Sequence, residues 1–83
     1  MSKQKKPVQM FGEPFCEYRV RCVRWMFEHY GEMTLPEIYR IYQARFGTIT
    51  ERTMSRTLLT LRTRGWAEAE EAESGNRYYK ASK

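Results

Sequence analysis

Arginine and hydroxyl side chains are concentrated in the third quarter of this chain, and they are the residues best suited to bind an anionic partner. The candidate binding residues of this segment are Thr50, Arg52, Thr53, Ser55, Arg56, Arg62 and Arg64. A guanidinium donates paired hydrogen bonds to phosphate or to O6 and N7 of guanine, and a hydroxyl donates a single one. Arg52 and Arg56 are four residues apart, so a helix places both on one side. These residue types at this spacing predict recognition of nucleic acid.

A helix over residues 50–64 is predicted to position these side chains. Its inward face is expected to consist of the apolar residues Met54, Leu58 and Leu61. The opposite face then carries Arg52, Ser55, Arg56, Leu59 and Thr63. We expect the first three members of this outward face to read base edges in the major groove. Arg62 and Arg64 come later in the helix and are expected to contact backbone phosphates.

Two further helices are predicted ahead of this segment, over residues 14–30 and 34–45. The first has apolar residues at three-to-four spacing: Phe15, Tyr18, Cys22, Val23, Trp25, Met26, Phe27 and Tyr30. The buried face of the second is expected to consist of Leu35, Ile38, Ile41, Tyr42 and Phe46. Both stripes indicate amphipathic helices that cover one small core.

The ends of these helices follow from capping patterns. The second helix begins with Thr34-Leu35-Pro36-Glu37, in which a hydroxyl residue is followed three positions later by glutamate. Thr50 is the expected N-cap of the third helix, and Thr48 with Glu51 forms a competing capping box. Each helix is followed by a glycine that can end it: Gly31, Gly47 and Gly65.

The C-terminal part is expected to form a β-hairpin. Residues 66–70 alternate apolar and polar side chains, residues 71–76 contain turn residues, and residues 77–80 form a short aromatic strand. Arg77 and Lys80 are its candidate nucleic-acid contacts. The first strand and the turn contain four glutamates: Glu68, Glu70, Glu71 and Glu73. Because carboxylates repel phosphates, the hairpin either points away from DNA or meets a basic protein partner.

Three helices followed by a hairpin make a small α+β architecture, and the short link Phe46-Gly47-Thr48-Ile49 is typical of a helix-turn-helix. The segment from Ile49 to Trp66 resembles the recognition helix and first wing strand of winged helix-turn-helix DNA-binding domains. Bacterial regulators of the MarR and ArsR type carry a similar run of hydroxyl, apolar residue, serine, arginine, two spaced leucines and basic-x-Arg-Gly. The resemblance covers roughly residues 14–80. It implies a three-helix winged helix-turn-helix fold with a C-terminal β-hairpin wing, and double-stranded DNA as the partner.

The sequence divides into two parts of different character. Residues 1–12 are expected to form a flexible basic N-terminal arm, and residues 13–83 form the winged helix-turn-helix domain. The candidate DNA contacts of the arm are Lys3, Lys5 and Lys6, which add non-specific affinity for phosphate. The net charge of +5 therefore comes from the arm and the third helix, and the acidic hairpin partly offsets it.

Composition argues against several classes of protein. No stretch of the 83 residues approaches the roughly 20 apolar residues of a membrane span, and no apolar region follows the N-terminal lysines as in a signal peptide. A cytoplasmic location is therefore expected, at the nucleoid in a bacterium. Cys16, Cys22 and His29 lie too far apart along one helix to bind a single metal ion. We expect no catalytic residue, no metal and no cofactor, and hence a protein that is not an enzyme.

The predicted function is sequence-specific binding of double-stranded DNA by a transcriptional regulator, for instance a repressor. The small size favours a regulator of the phage or mobile-element type or an excisionase-like architectural factor. A homodimer is expected to form through Phe11, Phe15, Tyr18 or Trp25. The alternative is a winged-helix protein-interaction module within a larger assembly, with the acidic hairpin contacting the partner. A third hypothesis is single-stranded nucleic-acid binding, with aromatic side chains stacked on bases.

Overall fold

Hydrophobic periodicity predicted the three helices well. The computed structural model describes residues 6–72 and 75–81. Its elements in chain order are α1 (Phe15–Tyr30), β1 (Met33–Thr34), α2 (Leu35–Arg45), α3 (Glu51–Thr63), β2 (Ala67–Ala72) and β3 (Gly75–Lys80). Each helix begins one residue after its predicted start. The predicted α+β class, with three helices and a C-terminal hairpin, is confirmed.

The helix starts follow the predicted caps. At the start of α2, the Thr34 N–H donates to Glu37 Oε1 at 2.9 Å, and this hydrogen bond lowers the pKa of the Glu37 carboxyl. At the start of α3, the Thr53 N–H donates to Thr50 Oγ1 at 3.1 Å. Of the two competing caps predicted for α3, Thr50 is therefore the one that forms. Glu51 is the first residue of the helix.

The sheet has three strands rather than two, in the order β1-β3-β2. The two-residue strand β1 pairs with β3, with Met33 opposite Tyr78, and no alternation can reveal so short an element. The hairpin is also longer than predicted. Glu71 and Ala72 belong to β2, and Gly75 and Asn76 to β3, because Ala72 pairs with Gly75 and Glu71 with Asn76. The predicted turn over 71–76 is therefore wrong at both ends, and Glu73 and Ser74 lie outside the described residues.

The core receives side chains from all six elements. Its buried members are Val20, Cys22, Val23, Trp25, Met26, Phe27, Met33, Ile38, Tyr42, Ile49, Met54, Leu58, Leu61, Ala67 and Tyr78. The inward face predicted for α3 is confirmed, since Met54, Leu58 and Leu61 are at most 2% exposed. This packing follows from the amphipathic pattern of the helices, because the apolar stripe of each helix faces the same core.

The surface expected for a homodimer is only partly exposed. Trp25 is 8% exposed and packs edge-on to Phe46, so it is a core residue and was wrongly placed in that surface. Tyr18 is half-buried, and burial raises the pKa of its phenol to about 12. Phe11 and Phe15 are exposed. Periodicity identifies which side of α1 is apolar, but not how much of its length the other elements cover.

Residues 6–13 pack along α1 and α2. The Arg21 guanidinium donates to both oxygens of Glu13 and to the Val8 carbonyl, at 2.7–2.8 Å. Lys6 Nζ donates to the Arg45 carbonyl at the end of α2 at 2.9 Å. Lys3 and Lys5 lie outside the described residues. Within the described part of the chain, no helix has the length and apolar character needed to cross a membrane.

Candidate nucleic-acid interface

Helix α3 presents one apolar face to the protein and one polar face to solvent. It packs against α1 and β2 through Met54, Leu58 and Leu61. The exposed residues of the helix are Glu51, Arg52, Ser55, Arg56, Leu59, Arg62 and Thr63, and the exposed Arg64 follows at its C-terminal end. The outward face predicted from the sequence, which we call the α3 outer face, therefore exists and consists of Arg52, Ser55, Arg56, Leu59 and Thr63.

Three arginines of α3 form no ion pair with a carboxylate among the described residues. Within residues 6–72 and 75–81, no carboxylate oxygen lies within 4 Å of a side-chain nitrogen of Arg52, Arg56 or Arg62. All three side chains are exposed. Their guanidinium groups are therefore available to an anionic partner. Arg52 and Arg56, one turn apart, place two guanidinium groups on the α3 outer face, and each can donate paired hydrogen bonds.

Arg64 is in a different position, although it belongs to the same segment. Its guanidinium donates to both carboxylate oxygens of Glu17, at 3.0 and 2.6 Å. It also lies over the Trp66 ring, 5.3 Å from the centroid, and Arg24 lies over the same ring at 4.1 Å. This arrangement joins the end of α3 to the first turn of α1 and to the start of the hairpin. Arg64 thus has an intramolecular role that its position in the sequence does not reveal.

The two candidate contacts on β3 are also paired with glutamates. Arg77 donates to Glu32 Oε2 at 2.6 Å, and Lys80 Nζ lies 3.8 Å from Glu28 Oε2. Glu28 is near the end of α1 and Glu32 follows it, so both cations are directed towards that end of α1. The structure does not bring them together with the α3 outer face. On β2, Glu68 and Glu70 are exposed beside β3.

The threonines at the start of α3 divide into exposed and buried members. Thr50 Oγ1 donates to Thr53 Oγ1 at 2.9 Å, so these hydroxyls form a pair at the helix N-terminus. Thr57, one turn after Thr53, adds no third hydroxyl donor for a partner. It is 6% exposed and donates to the Thr53 carbonyl at 2.8 Å. Because α1 covers this side of α3, Thr57 is not accessible to a partner.

A cleft of about 290 Å³ lies between α1 and α3 and adds residues that the sequence did not indicate. Its lining includes Arg19 and Cys16 from α1 and Arg56, Thr60 and Arg64 from α3. Arg19 lies over the Phe15 ring, 4.3 Å from the centroid. Nothing in the spacing of Arg19 along the sequence indicates that α1 and α3 meet there. The cleft places Arg19 beside the basic residues of α3, and Glu17, which is paired with Arg64, also lines it.

The cysteines and the histidine lie in separate environments. Cys22 is buried, and burial raises the pKa of its thiol to about 11, whereas Cys16 is exposed. The His29 ring stacks on Trp25, with centroids 4.7 Å apart. Among the described residues, no three side chains of the metal-binding types come together.

Comparison with known proteins supports the fold and leaves the regulator class open. No family model matches this chain. No curated protein matches it significantly either. A solved structure concerning the DNA recognition and protein interaction domains of HOP2, and its homologous DNA pairing, is similar, with a TM-score of 0.62 and 12% sequence identity. The match covers 78% of this chain and 97% of that chain. At this identity it concerns the fold alone, and it agrees with a winged-helix arrangement without pointing to the MarR or ArsR type.

Proposed function

We propose that this protein binds double-stranded DNA by placing α3 in the major groove. The observation that carries the proposal is the set of three exposed arginines on α3 that form no ion pair among the described residues: Arg52, Arg56 and Arg62. Other basic side chains of the domain, at the end of α3 and on β3, are paired with glutamates. Helix α3 therefore presents three arginines that form no ion pair with a described carboxylate, while Arg24 of α1 and Arg40 and Arg45 of α2 are also exposed without one.

The geometry of α3 suits a groove. Arg52 and Arg56 are separated by about 6 Å along the helix axis, which lets one guanidinium reach a guanine while the other contacts a phosphate. Ser55 lies between them and donates one hydrogen bond. The Thr50–Thr53 hydroxyl pair stands at the N-terminus of α3, where the helix dipole and free N–H groups favour phosphate. Arg19 extends the phosphate-binding surface from α1.

A regulatory role is the finer part of the proposal. The likeness to HOP2, whose structure concerns domains for DNA recognition and protein interaction, supports nucleic acid as the class of partner for this fold. We propose that the protein is a transcriptional regulator, a repressor of the phage or mobile-element type, that acts by binding rather than by catalysis. The exposed residues Phe11 and Phe15 are our candidates for contact with a second copy in a dimer.

The test is selection of bound sites from a random duplex pool, followed by titration of the selected site against salt. We expect a defined consensus and an affinity that falls steeply with salt, since each neutralised phosphate contributes about 0.9 to the slope of log K against log salt. A palindromic consensus indicates a dimer. Competition with the single strands of the same site is the control, and we expect the duplex to bind more tightly. Absence of duplex binding at low salt contradicts the proposal.

Strand β2 favours a second candidate, a protein-interaction module. It lies at the edge of the sheet, and its exposed glutamates are Glu68, Glu70 and Glu71. An acidic edge strand suits a basic protein partner. The two candidates differ in one measurement: replacing these glutamates with glutamine weakens a protein complex in the second case and leaves duplex binding intact or stronger in the first.

A further inference from the structure

Leu59 is a large apolar side chain in the middle of a charged surface. It is 59% exposed, whereas Leu58 and Leu61 on the same helix are 2% and 0% exposed. One turn before it stand Ser55 and Arg56, and one turn after it stand Arg62 and Thr63. Among the described residues, the other exposed large apolar side chains lie in residues 8–30, outside α3. Leu59 is therefore an isolated apolar point on a basic, hydrogen-bonding face.

We infer that Leu59 contacts the 5-methyl group of a thymine in the major groove, and so makes the protein discriminate thymine from the other bases. The inference rests on the proposed function and names what one position of the DNA site contains. Thymine is the base that presents an apolar group in the major groove, beside hydrogen-bond acceptors and donors. Leu59 suits the methyl group, and its polar neighbours suit the hydrogen-bonding groups beside it.

The charge of the surroundings favours DNA over a protein as the partner of Leu59. A protein surface that buries a leucine between Arg56 and Arg62 must supply carboxylates and an apolar pocket together. The major groove supplies phosphates on both sides and methyl groups on its floor. A single exposed leucine also forms no continuous apolar patch of the kind that protein interfaces use.

The position of Leu59 along α3 indicates which base it contacts. It lies three residues after Arg56, about 4.5 Å further along the helix axis. Its target is therefore a base pair neighbouring the pair that Arg56 contacts, and not the same one. A leucine side chain is shorter than an arginine, so the contact needs α3 to lie deep in the groove, which the small side chain of Ser55 permits.

The experiment replaces each thymine of the selected duplex site, one at a time, with deoxyuridine, which lacks only the 5-methyl group. We expect the unmodified protein to bind about fourfold less tightly when the contacted methyl is absent, the effect of burying one carbon group. Leu59→Ala is expected to bind the thymine and uracil sites equally. Leu59→Met keeps an apolar side chain and is expected to retain the preference. Thr63→Ala, on the same outer face, is the matched control and is expected to retain it too.

The outcomes separate this inference from the proposed function. Duplex binding with no effect of uracil at any position, or a methyl effect that survives in Leu59→Ala, overturns the role of Leu59 and leaves DNA binding standing. Absence of duplex binding by the unmodified protein overturns both. Because Leu59 is exposed, we expect Leu59→Ala to fold, and circular dichroism checks this. Leu59→Met, whose side chain is similar in size to that of leucine, is compared in the same way.

Discussion

Arg64 and Glu17 are 47 residues apart in the chain and are joined by two hydrogen bonds, of 3.0 and 2.6 Å, between the guanidinium and the carboxylate. The pairing lowers the pKa of the Glu17 carboxyl and raises that of the Arg64 guanidinium. It connects the end of α3 to the first turn of α1, and so helps to fix the direction in which the α3 outer face points. It also neutralises the positive charge of Arg64 at the edge of the α1–α3 cleft.

Replacing Glu17 with glutamine is expected to strengthen duplex binding. The change removes a negative charge beside the cleft and releases Arg64, so we expect the slope of log K against log salt to increase by about one. Thermal stability is expected to fall by a few degrees at most, because exposed ion pairs contribute little. The measurement is a salt titration of duplex affinity for both proteins. Glu32→Gln, which releases Arg77 at the other end of α1, is the matched control and is expected to change the slope less.

Arg56→Ala is expected to weaken binding to the selected site by about 1–3 kcal/mol and to relax specificity at one base pair, if Arg56 forms a fork with guanine. Arg77→Ala removes the same charge from a side chain already paired with Glu32, and we expect a smaller loss that is uniform across sequences. Affinities for the selected site and for single-base variants measure both effects. Equal losses in the two variants, with specificity unchanged, contradict a base-reading role for Arg56.

Helix faces could be predicted from the sequence, whereas ion pairing could not. The four-and-three spacing of Met54, Leu58 and Leu61 identifies the buried side of α3 locally, because a helix fixes where each residue points. The distinction between available and paired arginines depends on residues far away in the chain. Glu17 and Glu32 could be matched to Arg64 and Arg77 only once α1, α3 and β3 had been packed together.

The same limit applies to short strands and to neighbouring helices. Strand β1 has two residues, Met33 and Thr34, and pairs with β3 more than 40 residues later, so no local pattern reveals it. Arg19 lies in a cleft with Arg56 only because α1 packs against α3, and its position in the sequence does not indicate this. Local periodicity therefore specified the elements, and tertiary packing decided the composition of the site.

Two adjacent leucines provide a test of the orientation of α3. Leu58→Ala is expected to lower the free energy of unfolding by about 2–5 kcal/mol, because it opens a cavity in the core. Leu59→Ala makes the same chemical change on the exposed side and is expected to alter stability by about 0.5 kcal/mol or less. Urea unfolding of the two variants measures the difference. Similar losses for both would mean that α3 is rotated from the orientation described above.

The ion pair between Glu13 and Arg21 is expected to be lost in acid. Hydrogen bonds from Arg21 and from the Met10 N–H lower the pKa of Glu13 from 4.5 to about 2. Because the folded-state pKa is depressed, the stabilisation is fully present above pH 4.5 and is lost as the pH falls towards 2. NMR titration of the Glu13 carboxyl and of the Met10 amide follows both partners. Glu13→Gln is expected to abolish this pH dependence. Titration of Glu13 near 4.5 would contradict its pairing with Arg21.

The two thiols are expected to differ sharply in reactivity. Cys22 is fully buried with a thiol pKa raised to about 11, so neither the thiolate nor access to a reagent is available in the folded protein. Cys16 is exposed in the first turn of α1. Iodoacetamide followed by mass spectrometry should therefore give one adduct, on Cys16, in the native protein and two adducts in denaturant. Cys16→Ser removes the native adduct and leaves only slow modification of Cys22, whose rate reports how often the core opens. Equal rates at the two cysteines would show that α1 does not pack against the core as described.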